Sequence, residues 1–198
     1  LALLAIHLGR SRGLSQTDGE ALIQELTRLP SLARTILAKR EEIHTLAKRY
    51  VDVQNAFYLG RKFQFPIACE GAIKLKELSY IHAEGYASGE MKHGPIALID
   101  PSFLSVVLAP HDSMYEKSKS NMQEIRARGG KVLAITTEGN EADVGALADD
   151  VISVPNTHEA FLPILTTIPV QLFAYYVALE KGLPIDMPRN LAKSVTVE

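Results

Sequence analysis

The chain has 198 residues, of which 46% are hydrophobic and 22% are charged. These values are typical of folded globular proteins and exclude a mainly disordered chain, because enough apolar surface exists to offset the chain entropy. Lysine and arginine total 21 against 23 aspartates and glutamates, so the formal net charge is -2 and the chain carries no basic footprint for nucleic acid. The single cysteine, Cys69, excludes an internal disulfide framework and is typical of a reducing compartment such as the cytoplasm.

The first quarter of the chain predicts helices and no strand. Residues 1–13 are apolar and then basic, which is the reverse of a signal peptide, and they predict the end of a helix from a longer chain. Thr17 and Glu20 form a capping-box pattern that predicts a helix start near Asp18, and we expect Pro30 to interrupt that helix. A second helical pattern follows over residues 32–50.

Short apolar runs later in the chain predict four buried strands. These runs cover residues 56–60, 103–109, 131–137 and 150–155. Helical patterns separate or follow them, from Pro66 to about Tyr80, from the capping residue Ser113 to Gly129, and from Phe161 to Lys181. Strands that are apolar on both faces and alternate with helices are typical of a parallel sheet covered on both sides. The sequence therefore predicts an α/β fold.

One segment is long enough to span a bilayer. Residues 160–179 contain no charged side chain, and about 20 apolar residues suffice for a transmembrane helix. However, Pro163 and Pro169 interrupt the segment, and Glu159 and Glu180 close it. We therefore predict a helix buried in the protein core and no membrane partner.

The sequence lacks the motifs that bind nucleotides or metals most recognisably. It contains no GxGxxG or GxxxxGK[ST] phosphate loop, no CxxC and no HExxH. His82 with Glu84, and Glu90 with His93, come nearest to metal-ligand pairs, but their spacing matches no strong metal motif. The sequence predicts no metal site.

Lys74 and Glu77 are three residues apart on the helix predicted from Pro66, so they share one face. The simpler interpretation is a surface ion pair, which contributes less than about 1 kcal/mol. The functional interpretation is a carboxylate that transfers a proton and is oriented by the neighbouring ammonium group. Glu70 and Lys76 on the same helix weaken the pattern, and the spacing alone favours the surface pair.

His93 lies in a loop bounded by Gly89, Gly94 and Pro95, and such loops often carry functional side chains. A lone histidine is more often structural. Histidine side chains in general titrate near neutrality, however, which suits the opening of a sugar ring by general acid–base catalysis.

Lys193 lies near the end of the chain, in the segment NLAKSV. A lysine in a tail is usually just solvated. An amine that a closed pocket partly desolvates is neutral near pH 7 and can form an imine with a ketose carbonyl. Composition and spacing do not decide between these interpretations.

Two separate segments of the chain resemble segments of one enzyme family, and they occur in the same order as in that family. Residues 69–100, CEGAIKLKELSYIHAEGYASGEMKHGPIALID, resemble the second sugar-isomerase (SIS) domain of the glutamine–fructose-6-phosphate aminotransferases. Residues 188–198, PRNLAKSVTVE, resemble the C-terminal tail of those enzymes, and the segments LGRKFQFP and SNMQEIRARGG fit the same register. The resemblance covers essentially the whole chain and implies a SIS-type, flavodoxin-like parallel sheet flanked by helices.

The resemblance also implies a division of the chain into four parts. Residues 1–14 would be the truncated end of a first SIS domain, 15–46 a helical connector, 47–183 the second SIS domain and 184–198 an active-site tail. The family's full enzyme adds an N-terminal glutaminase domain and makes glucosamine 6-phosphate from fructose 6-phosphate and glutamine. The implied location is the cytoplasm.

Five residues match the family's functional positions. By resemblance, Lys193 forms the imine with the open-chain ketose, and Ala192 touches the sugar through its backbone. Glu77 moves a proton between C1 and C2, with Lys74 as its partner. His93 opens the sugar ring and is supplied by the neighbouring subunit, which implies a homodimer at least. No metal, nicotinamide or pyridoxal cofactor is implied, because the lysine and the carboxylate cover the chemistry.

Two parts of the family's machinery are not found in this sequence. These are the phosphate-binding Ser/Thr loops of the first SIS domain and the N-terminal cysteine nucleophile of the glutaminase domain; Cys69 lies inside a predicted helix instead. We therefore expect the chain alone to be inactive. Two other functions stay open: a related SIS deglycase that acts on a glycated sugar phosphate, and a non-catalytic SIS module that binds a sugar phosphate and regulates a partner.

Overall fold

The structure is a computed structural model that describes residues 1–191. Over these residues the chain forms the α-helices α1 Ala2–Arg10, α2 Gln16–Ala38, α3 Arg40–Ala47, α4 Gln64–Ser79, α5 Tyr115–Arg126, α6 Glu141–Gly145 and α7 Leu162–Glu180. The β-strands are β1 Asn55–Gly60, β2 His82–Ala87, β3 Leu104–Leu108, β4 Lys131–Thr137 and β5 Asp150–Val154. Short 3-10 helices cover Lys48–Tyr50, Ser88–His93, Pro95–Leu98 and Glu159–Phe161.

The five strands form one parallel sheet in the order β2-β1-β3-β4-β5. This is the flavodoxin-like order, in which the direction of winding reverses between β1 and β3. The predicted α/β fold class is confirmed.

Each face of the sheet is covered by its own hydrophobic core. On β1, Tyr58 packs into the core that α3, α4 and α7 share, whereas its neighbours Phe57 and Leu59 pack into the core beneath α5 and α6. Successive side chains of a strand point to opposite faces, so a strand covered on both sides must be apolar at every position. This explains why β1, β3 and β4 were recognisable as unbroken apolar runs.

Strand β2 was not predicted. It lies at the edge of the sheet and pairs with β1 alone, from Asn55 opposite His82 to Gly60 opposite Ala87. Its sequence, HAEGYA, carries a charge and a glycine, and only Ala83 of the strand is fully buried. An edge strand needs less apolar surface than a central one, so its composition gave no strand pattern.

Helix α2 begins earlier than expected. It starts at Gln16, and the Ser15 hydroxyl caps it by accepting a hydrogen bond from the Asp18 backbone N–H at 3.0 Å. Ser15 Oγ also donates to Asp18 Oδ2 at 2.6 Å. The cap therefore belongs to Ser15, and the box predicted for Thr17 and Glu20 was wrong.

The interruption predicted at Pro30 was also wrong, because α2 continues through it. Pro30 faces solvent, while Leu29 and Ile36 are buried against the core. Burying one such side chain contributes about 1.5–3 kcal/mol. Two of them offset the cost of roughly 3 kcal/mol that a proline imposes inside a helix.

Helix α7 passes through the middle of one core. Among residues 1–191 it is the one helix long and apolar enough to cross a membrane by length and composition, and 56% of its most apolar window is buried inside the protein. Val170, Phe173 and Val177 on this helix are fully buried among residues of α3, α4 and the sheet. The predicted core helix is confirmed.

Candidate active site

Helix α4 lies unusually close to the sheet because small residues line its buried face. Ala68 and Ala72 are buried there, and a Cβ added to Gly85 of β2 would lie 2.6 Å from the Cys69 Cα. Gly71 faces the Tyr58 ring in the same way. The close contact fixes the position of α4, and with it the side chains that flank its buried face.

Lys74 and Glu77 are two of these flanking side chains, and they form an ion pair. Lys74 Nζ donates to Glu77 Oε2 at 2.6 Å, and each side chain is about one-third exposed. The hydrogen bond from the ammonium to Glu77 raises the pKa of Lys74, although partial burial acts in the opposite direction. Lys74 is therefore a fixed cation at neutral pH, and the sequence prediction that the two share one face is confirmed.

Glu70, one turn before Lys74, has a different partner. Its Oε1 accepts a hydrogen bond from Gln171 Nε2 of α7 at 3.0 Å. Its charge makes a smaller contribution to the raised pKa of Lys74 than that of Glu77. Of the two glutamates near Lys74, Glu77 thus holds the ammonium directly.

His93 ends the short 3-10 helix that follows β2. Met91 of that helix is fully buried, and Lys92 Nζ forms an ion pair with Glu124 Oε1 of α5 at 2.8 Å. Gly94 then takes a φ of 148°, a conformation that favours glycine and turns the chain into the next 3-10 helix. The segment predicted as a glycine-bounded loop thus forms two short 3-10 helices that meet at Gly94.

The His93 ring itself is largely exposed. Its Nδ1 lies 2.8 Å from Glu90 Oε2, and 71% of the side chain is accessible. Among residues 1–191 no hydrogen bond or ion pair joins His93 to Lys74 or Glu77. The structure therefore brings Lys74 and Glu77 together and leaves His93 on a separate surface loop.

The described end of the chain returns to the end of α4. The backbone N–H of Arg189 donates to the Tyr80 hydroxyl at 2.9 Å, and the guanidinium lies 4.0 Å from the centre of the Tyr80 ring. Tyr80 caps α4 three residues after Glu77. Ala192 and Lys193 lie outside the described residues. Sequence reasoning missed Tyr80 and Arg189, and the one available signal was that the tail and the α4 segment resemble the same family.

A second polar cluster lies at the carboxyl edge of the sheet. Lys62, after β1, donates to Ser113 Oγ at 2.6 Å and to Glu159 Oε1 at 2.8 Å, and the Ser113 hydroxyl also donates to Glu159. The hydrogen bond from Lys62, and after it that from Ser113, lowers the pKa of Glu159. The cluster ties together the loops that follow β1, β3 and β5. Ser113 belongs to this cluster. The prediction that Ser113 caps α5 was wrong, because that helix begins at Tyr115 without a side-chain cap.

The two His–Glu pairs considered as metal ligands are close to each other within each pair but belong to no larger group of ligands among residues 1–191. His82 Nε2 lies 3.7 Å from Glu84 Oε1, and His93 contacts Glu90 as described above. Within the described range, residues 1–191, no three His, Cys, Asp or Glu side chains are grouped so as to hold a metal ion.

The fold and the ordering of its strands agree with a match to a known family. The family model of the SIS domain matches residues 50–181. This range covers more than half of the chain and includes the whole sheet, so the chain belongs to the SIS domain family, whose members build a parallel α/β domain of this kind.

Individual relatives identify a narrower group within this family. The chain is 53% identical over 199 residues to glutamine–fructose-6-phosphate aminotransferase [isomerizing] of Thermus thermophilus, covering 100% of this chain and 33% of that protein. It is 48% identical over 198 residues to the protein of the same name from Chlorobaculum tepidum, covering 100% of this chain and 32% of the relative. The chain thus spans about a third of the length of the curated relatives it matches.

A solved structure is similar over most of the chain. It is the C-terminal domain of glucosamine-fructose-6-phosphate aminotransferase from Francisella tularensis, with a TM-score of 0.84 and 38% identity. The match covers 89% of this chain and 49% of that one. The resemblance drawn from residues 69–100 and 188–198 is confirmed as a likeness to this group of aminotransferases.

Proposed function

We propose that the chain carries the second sugar-isomerase domain and the active-site tail of an enzyme that makes glucosamine 6-phosphate. The substrates are fructose 6-phosphate and ammonia released from glutamine. The observation that carries the proposal is the direct contact between Lys74 and Glu77. The contact lies at the two positions that the family resemblance assigns to the proton-transfer base and its partner. The similarity of the whole chain to about a third of the aminotransferase sequence supports the same substrates.

Glu77 is the base of the isomerisation. After ammonia has become an imine at C2 of the sugar, the carboxylate removes a proton from C1 and an enaminol forms. Return of a proton to C2 leaves an aldehyde at C1 and an amine at C2, which is glucosamine 6-phosphate. The Lys74 ammonium, held 2.6 Å away, keeps the carboxylate oriented, as such proton transfer requires.

Lys193 holds the ketose before ammonia arrives. Its neutral amine attacks C2 of the open-chain sugar and water leaves, so a lysine imine forms. Ammonia then adds to C2 and displaces the lysine amine. Ala192 contacts the sugar through its backbone, and we propose that the tail, residues 184–198, closes over the substrate and excludes water.

His93 opens the sugar ring in a neighbouring subunit. His93 lies on an exposed segment and forms no hydrogen bond or ion pair with Lys74 or Glu77 in the described part of the chain, which supports a role across an interface. The functional unit is then a homodimer at least. The cytoplasm suits a chain with a single, free cysteine, Cys69.

The domain division follows the same reasoning. We propose residues 1–14 as the end of the first SIS domain, 15–46 as the connector and 47–183 as the second SIS domain. The phosphate-binding loops of the first SIS domain and the glutaminase domain lie beyond the 198 residues, so the chain alone is inactive.

The test is a product assay on the full-length protein that contains these residues. Fructose 6-phosphate and glutamine are supplied together and separately, and glucosamine 6-phosphate is measured. We expect product only when both substrates are present. Release of an amine from a glycated sugar phosphate without any need for glutamine would overturn the proposal in favour of a deglycase. Binding of sugar phosphate with no turnover of any of these substrates would overturn it in favour of a regulatory module.

A further inference from the structure

Tyr80 occupies a backbone conformation that a bulky residue seldom adopts. It follows the last residue of α4 with a φ of 60° and a ψ of 15°, in the left-handed region. Glycine is the usual residue at such a helix end, because a Cβ is disfavoured there. The Tyr80 backbone N–H donates to the Lys76 carbonyl at 3.1 Å and closes the helix. Any residue with a backbone N–H could make this bond, so we look for the role of the tyrosine in its side-chain contacts.

The Tyr80 side chain makes two different contacts with Arg189. The phenol oxygen accepts the Arg189 backbone N–H at 2.9 Å, and the guanidinium lies over the ring at 4.0 Å. The first contact depends on the hydroxyl, and the second is a cation–π interaction that depends on the ring and on the arginine side chain. The two contacts can therefore be removed separately.

These contacts include the one hydrogen bond that attaches the described tail, residues 184–191, to the rest of the described chain. Met187 and Leu191 are largely exposed. Asn190 takes a φ of 64°, a left-handed conformation that asparagine tolerates, so the chain turns directly after the contact.

The position of the contact links the tail to the proposed base. Tyr80 lies three residues after Glu77, about one helical turn. Lys193 is the fourth residue after Arg189, and an extended chain of four residues spans at most about 14 Å. Holding Arg189 at the end of α4 thus restricts the volume that the tail lysine can search.

We propose that Tyr80 is a positioning residue that anchors the tail to the end of α4, so that Lys193 and Glu77 meet the same ketose. This inference rests on the proposed function for the roles of those two residues. In this role Tyr80 does not touch the substrate itself. It acts by raising the fraction of molecules in which the tail lysine is within reach of the sugar carbonyl.

The test uses the full-length protein with three variants. Tyr80→Leu removes both contacts, Tyr80→Phe removes the hydrogen bond and keeps the ring, and Arg189→Ala removes the cation and keeps the N–H. The matched control is Arg128→Ala, because Arg128 is an exposed arginine whose guanidinium bonds within its own segment, to the Glu124 carbonyl. Thermal unfolding is used to check that each variant folds. If a Tyr80 variant does not fold, Arg189→Ala still tests the proposal.

Two readouts are compared. The first is hydrogen exchange of peptides from residues 184–198 without substrate, and the second is the rate at which borohydride traps a fructose 6-phosphate adduct on Lys193. We expect faster exchange of the tail and at least tenfold slower trapping for Tyr80→Leu. Tyr80→Phe should lose about fivefold, as expected for one hydrogen bond. Arg189→Ala should lose a few-fold, as expected for one exposed cation–π contact. Arg128→Ala should change neither readout.

Each outcome decides one of the two proposals. If the wild type forms the Lys193 adduct and Tyr80→Leu forms it equally fast, with unchanged exchange of the tail, the anchor is refuted and the proposed function stands. If the wild type forms no adduct, the proposed function fails. In that case faster exchange of the tail in Tyr80→Leu still supports the anchor, and unchanged exchange refutes it.

Discussion

Lys74 Nζ and Glu77 Oε2 lie 2.6 Å apart on a helix that small residues hold tightly against the sheet. The pair is about one-third exposed, so its contribution to stability is less than about 1 kcal/mol. Because the pair contributes so little to folding, the proposed catalytic role of Glu77 can be tested by substitution without unfolding the protein.

Replacing Glu77 with glutamine should abolish turnover without unfolding the protein. Glu77→Gln removes the proton acceptor and keeps the side-chain shape, so kcat for glucosamine 6-phosphate should fall by a factor of about 10² to 10⁴. The melting temperature should stay nearly unchanged. Glu116→Gln is a matched control, because Glu116 pairs with Lys119 at the same helical spacing. Loss of kcat in both variants, or in neither, would contradict the role of Glu77.

Mixed dimers can test whether His93 acts across subunits. Coexpression of His93→Ala with Glu77→Gln gives dimers of which half are hybrids under random pairing. If each site takes His93 from one subunit and Glu77 from the other, one of the two sites in a hybrid is intact. The mixture should then recover about a quarter of wild-type activity, as closed two-fold symmetry requires. Sites built within one subunit would recover none.

The close approach of α4 to β2 should be sensitive to a single methyl group. In Gly85→Ala the new Cβ would meet the Cys69 backbone at 2.6 Å from Cα and 2.8 Å from N. The backbone must shift, which should cost about 1–3 kcal/mol of unfolding free energy. In Gly145→Ala the nearest neighbour lies at 3.9 Å, so that helical glycine should tolerate the change or gain up to about 1 kcal/mol. Equal urea-denaturation midpoints for the two variants would refute the close packing.

The cluster at the carboxyl edge of the sheet should make stability depend on pH. The hydrogen bond from Lys62 lowers the pKa of Glu159 in the folded state. The pair therefore stabilises the fold at pH values above the unfolded carboxyl pKa of about 4.3, and this contribution is lost as the pH falls through the folded-state value. Glu159→Gln should be less stable than wild type by up to about 1 kcal/mol at pH 7, and the difference should vanish in acid. A difference that is independent of pH would contradict this account.

Much of the fold was predictable because burial on both faces leaves a clear pattern. Strand β4 matches its apolar run, β1 and β5 differ from theirs by one residue at one end, and β3 is one residue shorter than its run at each end. Edge strand β2 was missed because half-exposed residues such as Glu84 are acceptable there. The continuation of α2 through Pro30 was missed because the burial of Leu29 and Ile36, which offsets the proline, is a tertiary effect.

The candidate site was predictable only in part. Helical spacing placed Lys74 and Glu77 on one face, but spacing alone favoured an ordinary surface pair, and the family resemblance supplied their roles. The contact of Tyr80 with Arg189 joins residues 109 positions apart. No local pattern encodes such a contact, because it depends on the path of the chain after α7.

The proposed imine role of Lys193 is tested most directly by borohydride trapping with fructose 6-phosphate, followed by peptide mass mapping. It is run in parallel on the full-length protein and on the 198-residue chain. We predict an adduct at Lys193 in the full-length protein and none in the chain alone, because we propose that the phosphate-binding loops lie outside the 198 residues. An adduct in neither, with sugar phosphate still bound by the full-length protein, would contradict the imine role of Lys193.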